Sequence, residues 1–330
     1  MTQTQVTPRR SPVAALRGIG ADNPATPVFL ALLALVVVGW AVVAVDGGQL
    51  FSQESIVGIQ QRSAALGIVA IGQTLAILAG SLDLSVAFLI SLSSLVAAET
   101  MVQYGVVAGI GAVLAMSALI GLANGLIITV LRVHAFIATL GMALVIRGIL
   151  ENRYDGPAGG VPESFQRLGY DRIGPIPVSA LLWAAIALAA WFLLRRTPLG
   201  YRIFAVGGGP EVARLSGVRT GRVVVATHVL CSLCAGIAGL LLASRLGAGS
   251  PTVGSDGGYD LESIAAVVLG GTALAGGRGG VAGTVGGVLV LAVLDSVFNQ
   301  MEVNSFAKDV VRGVVIVAAL AVYARGRRSR

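Results

Sequence analysis

The sequence predicts an all-α polytopic membrane protein of about ten transmembrane helices. Three observations predict it. The chain is too poor in charge to cover a water-facing surface: 12% of its 330 residues are charged and 55% are apolar, against roughly 25% charged in a soluble domain. Its apolar residues fall in runs long enough to cross a hydrocarbon layer about 30 Å thick. Its arginines gather in the short intervals between those runs. The 45 glycines fit the same class, because helices in lipid approach one another through small residues.

Taken in order, the apolar runs cover about 28–45, 56–78, 84–102, 106–131, 136–150, 178–194, 223–243, 259–274, 281–298 and 306–323. The third and eighth are the least regular. The first has no small-x-small cleavage site followed by a soluble domain, so it reads as a span and not as a signal peptide. The domain reading is a cytoplasmic tail over 1–27, one permease domain over 28–324 and a second cytoplasmic tail over 325–330.

Arginine placement sets the expected topology. With the N-terminus inside, 15 of the 23 Lys and Arg fall on inner segments, and most acidic residues fall outside. Both termini are then cytoplasmic. The net charge of +7 therefore reads as topology, with the lipid bilayer as partner and no nucleic acid. The connection 151–177 is an irregular outer loop, and 195–222, with six arginines, is an inner loop expected to hold a short surface helix. Asp83-Leu84-Ser85 and Asp260-Leu261-Glu262 both precede apolar runs, five spans apart. An inverted five-plus-five repeat has that spacing.

Enzyme chemistry finds no support. The one lysine, Lys308, follows Ala307, so no Gly-x-x-x-x-Gly-Lys-Ser/Thr phosphate loop exists. There is no His-Glu-x-x-His and no Gly-x-Ser-x-Gly. His134 and His228 stand far apart in sequence and read as hydrogen-bonded structural residues. Cys231 and Cys234 lie inside an apolar run and read as small apolar residues. No catalytic residue, metal ligand or cofactor site is expected.

Polar residues inside the apolar runs are the other candidates. In Gly80-Ser81-Leu82-Asp83-Leu84-Ser85, Ser81 or Asp83 can cap the helix that follows. The same break is also suited to the edge of a permeation path, where irregular backbone is tolerated if it lines a cavity. Asn124 lies between Gly121 and Gly125, a spacing that favours close helix contact. Asp295 is an intramembrane carboxylate and a functional candidate by type. Gly279, Gly283 and Gly287 read as helix packing. Within the inner loop, Pro210 and Glu211 suit a helix start and Gly217 a stop. That predicts a two-turn helix over 210–217, either a solvated connector or a docking element.

Several segments together resemble the permeases of ribose-type ABC importers: Thr197-Pro198-Leu199-Gly200, Ala213-Arg214-Leu215-Ser216-Gly217-Val218, and Ile264 through Thr272 continuing to Gly279. Leu82-Asp83-Leu84-Ser85-Val86 and Phe136 through Met142, which includes Thr139, also look like family segments. The resemblance covers nearly all but the first 50 residues. Two places depart from it: Gly209-Pro210 stands where the family usually has Asn-Glu, and Gly80-Ser81 where it has Gly-Gly.

The resemblance implies an assembly with a second permease (homodimer or heterodimer), ABC ATPase subunits and an extracytoplasmic sugar-binding protein. ATP is then used by the ATPase partners, and the permease works by alternating access. The residues expected to couple to the ATPase are Gly200, Pro210, Glu211, Arg214, Ser216 and Gly217. Those expected along the translocation path are Ser81, Asp83, Ser85, Asn124, Thr139, Asp260 and Asp295. Competing readings are an ABC permease for nucleosides or branched-chain amino acids, an ion-coupled secondary transporter, and a membrane enzyme.

Overall fold

A computed structural model describes residues 26–45 and 47–304, with 306–308, 310–311 and 313–314 beyond them. Most of the expected last span, and nearly all of both expected tails, lie outside the described residues. The described residues are mostly helical. Seven helices among the described residues are long and apolar enough to cross a membrane. They are α1 (Thr26–Val45), α2 (Gln53–Leu78), α3 (Val86–Thr129), α4 (Ala135–Arg153), α6 (Val178–Arg196), α9 (Thr220–Leu246) and α12 (Val281–Gln300). Shorter helices lie between them: α5 (Glu163–Tyr170), α7 (Pro198–Gly208), α8 (Pro210–Leu215), α10 (Val253–Asp256) and α11 (Tyr259–Leu269). Strands β1 (Arg172–Ile173) and β2 (Ile176–Pro177) form one small hairpin.

Helix α3 accommodates two of the expected spans. A straight helix of its 44 residues would be about 66 Å long, twice the hydrocarbon thickness. It folds back at Gly105, whose φ of 83° and ψ of 173° break the helix and suit glycine. The two halves meet at Gly109, where a Cβ would lie 2.5 Å from Met101 Cγ.

The eighth run differs from expectation. It is helical only over Tyr259–Leu269, about 16 Å at 1.5 Å per residue, which is half a crossing. The chain then turns through Gly270 and Gly271. Close packing demands the interruption: a Cβ on Gly270 would lie 2.4 Å from the Gly283 carbonyl oxygen.

Helix α2 sits at the centre, buried on every side from Ser63 to Leu78. It packs against α6, α9, α11 and α12. Gly67 admits the Trp183 ring of α6, and Gly72 admits the backbone of α9 at Cys231. Cys231 and Cys234 are free, buried thiols in that contact. The second half of α3 packs on α9 through Gly121 and Gly125, whose Cβ atoms would lie 2.6 Å from His228 O and 2.7 Å from Val225 Cα. Gly283 and Gly287 bring α12 against the carbonyls of Gly270 and Ala266. Gly279 lies outside any helix and packs on Thr272. Helix α1 packs on α12 and is otherwise mostly exposed, as a lipid-facing helix is.

The two ends of the bundle differ. At one end, α5 and the hairpin close over α2 and α9. Tyr170 donates to the Arg245 carbonyl at 2.6 Å and Gln61 donates to that of Gly169 at 3.5 Å. At the other end lie α7 and α8. From the α5 end, residues after α9 descend again beside α3. Gly247, at φ 70°, turns the chain, Gly249 pairs with Ala158, Ser250 N–H donates to Ser94 Oγ at 3.0 Å and Gly254 N–H donates to Ser91 Oγ at 3.0 Å. Gly254 then lies against the Ala87 carbonyl.

Candidate functional site

The break between α2 and α3 carries the most polar site in the bundle. Asp83 is wholly buried, and all its acceptor capacity is used. Oδ1 accepts from Ser85 N–H at 2.9 Å and Ser85 Oγ at 2.5 Å. Oδ2 lies 3.3 Å from Asn124 Nδ2 and 3.3 Å from His228 Nδ1. The neutral tautomer that meets both of His228's contacts carries its proton on Nδ1. Nε2 then accepts from Ser81 Oγ at 2.7 Å. Asn124 also donates to Ser85 Oγ at 3.0 Å. Gln73 donates to the Asp83 carbonyl at 3.3 Å and accepts from Cys231 Sγ at 3.4 Å. Thr139, at the start of α4, accepts from Leu84 N–H at 3.2 Å.

The expected capping role is replaced. Ser85, not Ser81 or Asp83, is the N-cap of α3, with no side-chain capping bond. Asp83 spends its carboxylate on Ser85 and on α9, because in an apolar core an unmet carboxylate costs far more than an uncapped helix end. The result is a joint: one short loop is tied to α3 through Asn124, to α4 through Thr139 and to α9 through His228.

A second joint lies at the other end of the same loop, at Leu78 and Gly80. A Cβ on Gly207, near the end of α7, would sit 1.8 Å from the Leu78 carbonyl oxygen. Gly277 N–H donates to that same oxygen at 3.0 Å. Gly276, at φ 86°, touches the backbones of Gly80 and Gly207. Three chain segments therefore meet backbone to backbone between α8 and the Asp83 loop.

Helix α8 forms over Pro210–Leu215, slightly shorter than the expected 210–217. Pro210 occupies its first turn, and Gly217, at φ 82°, ends it. Val218 N–H donates to the Ala213 carbonyl and Gly217 N–H to that of Arg214, both at 3.0 Å. Glu211 and Arg214 pair with each other at 2.6 Å on the exposed face, and Ser216 donates back to the Val212 carbonyl. Val212 and Leu215 project from the helix, 69% and 80% exposed. Gly200 is not on this surface. It closes the α6–α7 corner, where a Cβ would lie 2.4 Å from the Leu193 and Leu194 carbonyl oxygens.

The structure brings together Ser81, Asp83, Ser85, Asn124 and Thr139. It places Asp260 elsewhere, half-buried in the first turn of α11. Asp295 lies at the α5 end and faces Arg62 at 3.5 Å. His228 and Gln73 belong to the joint although neither stood among the expected path residues. The signal for His228 was its position in an apolar run, where an ionisable ring needs a named partner.

The family model for the branched-chain amino acid transport system / permease component matches residues 55–320. The ribose import permease of Escherichia coli K12 is 38% identical over 299 residues, covering 89% of this chain and 91% of that protein. The chain belongs to the ribose-type ABC importer permeases. The Bacillus subtilis 168 ribose import permease is also 38% identical to this permease, over 88% of it and 90% of the relative. The Escherichia coli K12 L-arabinose transport system permease is 36% identical, over 77% of each. No solved structure matches this permease.

Proposed function

We propose that this permease subunit forms the path by which a monosaccharide enters the cell, delivered by an extracytoplasmic binding protein and driven by ATP on partner subunits. A second permease, the same or a paralogue, completes the pathway. The observation that carries the reading is α8, a short self-capped helix that projects two apolar side chains between apolar spans. Ala213 anchors one side of the helix in the bundle, and the exposed side suits insertion into a cleft of an ATPase. The α8 end is cytoplasmic in this reading, with its arginines, and the α5 end faces outward. ATP is bound and hydrolysed by the partners, and this chain needs no cofactor of its own. The two joints link α8 to the α2–α3 break, so displacement of α8 reaches the centre of the bundle through backbone contacts.

The test is uptake of radiolabelled D-ribose, L-arabinose and D-galactose by cells carrying the complete transporter. ATP depletion is expected to abolish uptake, and an uncoupler alone is expected to spare it. Uptake that survives ATP depletion would sink the ATP-driven reading in favour of ion coupling. The matching family model carries a branched-chain amino acid description, which supports a second reading. Competition by leucine, with none by sugars, would select it.

A further inference from the structure

The descending segment after α9 has an unusual position. Its contacts along α3 run from Leu95 through Ser94 and Ser91 to Ala87. Eight residues of helix are about 12 Å, so an irregular stretch, 247–252, ending in the single-turn helix α10 enters the bundle by that depth from the α5 end. Backbone of this kind is tolerated inside a membrane where it is buried in protein or lines a wet cavity. Here it does both. Ser91 and Ser94 meet its N–H groups on one side, and the other side borders a cleft of about 480 Å³.

The cleft has the lining of a sugar site. Phe88 and Leu150 supply an apolar surface against which the C–H face of a pyranose or furanose can lie. Thr252 of the descending segment supplies a hydroxyl able to donate or accept. Ser255 Oγ donates to the Thr252 carbonyl at 3.0 Å and keeps its acceptor side. Ser250 Oγ accepts from Thr252 N–H at 3.4 Å and keeps its proton to donate. Opposite them, Glu151, Tyr154 and Asp155 line the wall that continues from α4. Arg147 also faces in, but Glu151 holds it at 2.7 Å. That pair is neutral, so Asp155 is left as the charge in excess. A site so charged admits a neutral polyol and repels a phosphorylated one. Its volume falls within the range of small-molecule pockets and leaves room for a pentose or hexose with part of its hydration.

We propose that this cleft, between α4, the first half of α3 and residues 249–256, is where the permease holds the monosaccharide it carries. The proposal rests on the transport reading above and names the place and chemistry of binding within it. Thr252 and Ser255 are its binding hydroxyls.

The experiment uses the complete transporter with Cys231→Ala and Cys234→Ala. Ser255→Cys is added, and modification by a charged, membrane-impermeant thiol reagent is timed from outside, with and without saturating D-ribose, L-arabinose or D-galactose. At least one sugar is expected to slow modification about threefold or more, while a Ser164→Cys control on α5 is unaffected. Thr252→Val, nearly isosteric, is expected to lower sugar uptake about tenfold, the loss of one hydrogen bond, with membrane abundance and ATPase co-purification unchanged. Ser255→Cys that the reagent does not reach, or reaches equally fast with all three sugars, overturns the proposal. So does full uptake by Thr252→Val. Protection does not depend on the energy source, so uptake that survives ATP depletion would overturn the importer reading and leave the cleft to be decided by protection alone.

Discussion

A carboxylate inside an apolar bundle persists only where each of its lone pairs is met. Asp83 satisfies that condition through Ser85, Asn124 and His228. Removing it takes the acceptor from the His228 ring N–H and from the backbone N–H and hydroxyl of Ser85, and leaves the Asn124 amide with Ser85 Oγ alone. Each buried donor left unmet in this way costs about 1–3 kcal/mol. Asp83→Ala is therefore expected to lower the melting temperature of the detergent-solubilised chain sharply. Asp83→Ala with His228→Ala is expected to cost less than the sum of the two single changes, and strict additivity in that cycle would rule the pair out as a coupled unit. Gly207→Ala is expected to be damaging although it adds one methyl group, because the Leu78 carbonyl occupies that place. Overpacking of this kind costs roughly 1–3 kcal/mol or more, readable in the same melt. Asp83, Asn124 and Thr139 were legible in the sequence as polar residues in apolar surroundings. Their convergence was not, since it depends on α9 and α4 crossing the same loop, and no local pattern fixes a crossing.

Among the elements, α8 was the most legible and α11 the least. Proline at a start and glycine at a stop are backbone requirements, so Pro210 and Gly217 marked α8 directly. The docking residues read differently once the side chains are placed. Glu211 and Arg214 satisfy each other on an exposed face, where an ion pair is worth little. Val212 and Leu215 are the apolar side chains that α8 leaves exposed, and under the proposed function they would carry the docking. Leu215→Asp is expected to reduce ATPase co-purification about tenfold or more, and Glu211→Ala with Arg214→Ala to reduce it only a few-fold. The reverse order would show that docking is electrostatic. Helix α11 looked like a full span because Ala, Val, Leu and Gly all count as lipid-compatible. What shortens it is the need for Gly270 to touch Gly283, a contact made at a distance in sequence.

For the molecule as a whole, composition carried the class and arginine placement carried the expected sidedness. The fold-back of α3 followed from length, since the bilayer sets a maximum for one crossing. Ser164, exposed on α5, offers a direct check of sidedness. Ser164→Cys is expected to react with an impermeant reagent in intact cells. Reaction only after permeabilisation would invert the orientation. The packing of α5 and the hairpin over α2 and α9 could not be read from the sequence, because polar loops carry little periodicity.

The descending segment also bears on how the protein is made. A stretch enters lipid unaided when it is long, apolar and able to satisfy its own backbone. Residues 249–269 fail on each count. Their longest helix is 11 residues, and two of the backbone donors ahead of it rely on hydroxyls of α3. This segment cannot be threaded into the bilayer as it leaves the ribosome. On this physical argument it settles only after α3 is in place, against the face that Ser91, Ser94 and Ala87 present. The solute cleft is thus among the last parts of the chain to take shape. A defect in Ser91 or Ser94 would show itself as a permease inserted with its long helices across the bilayer yet unable to bind.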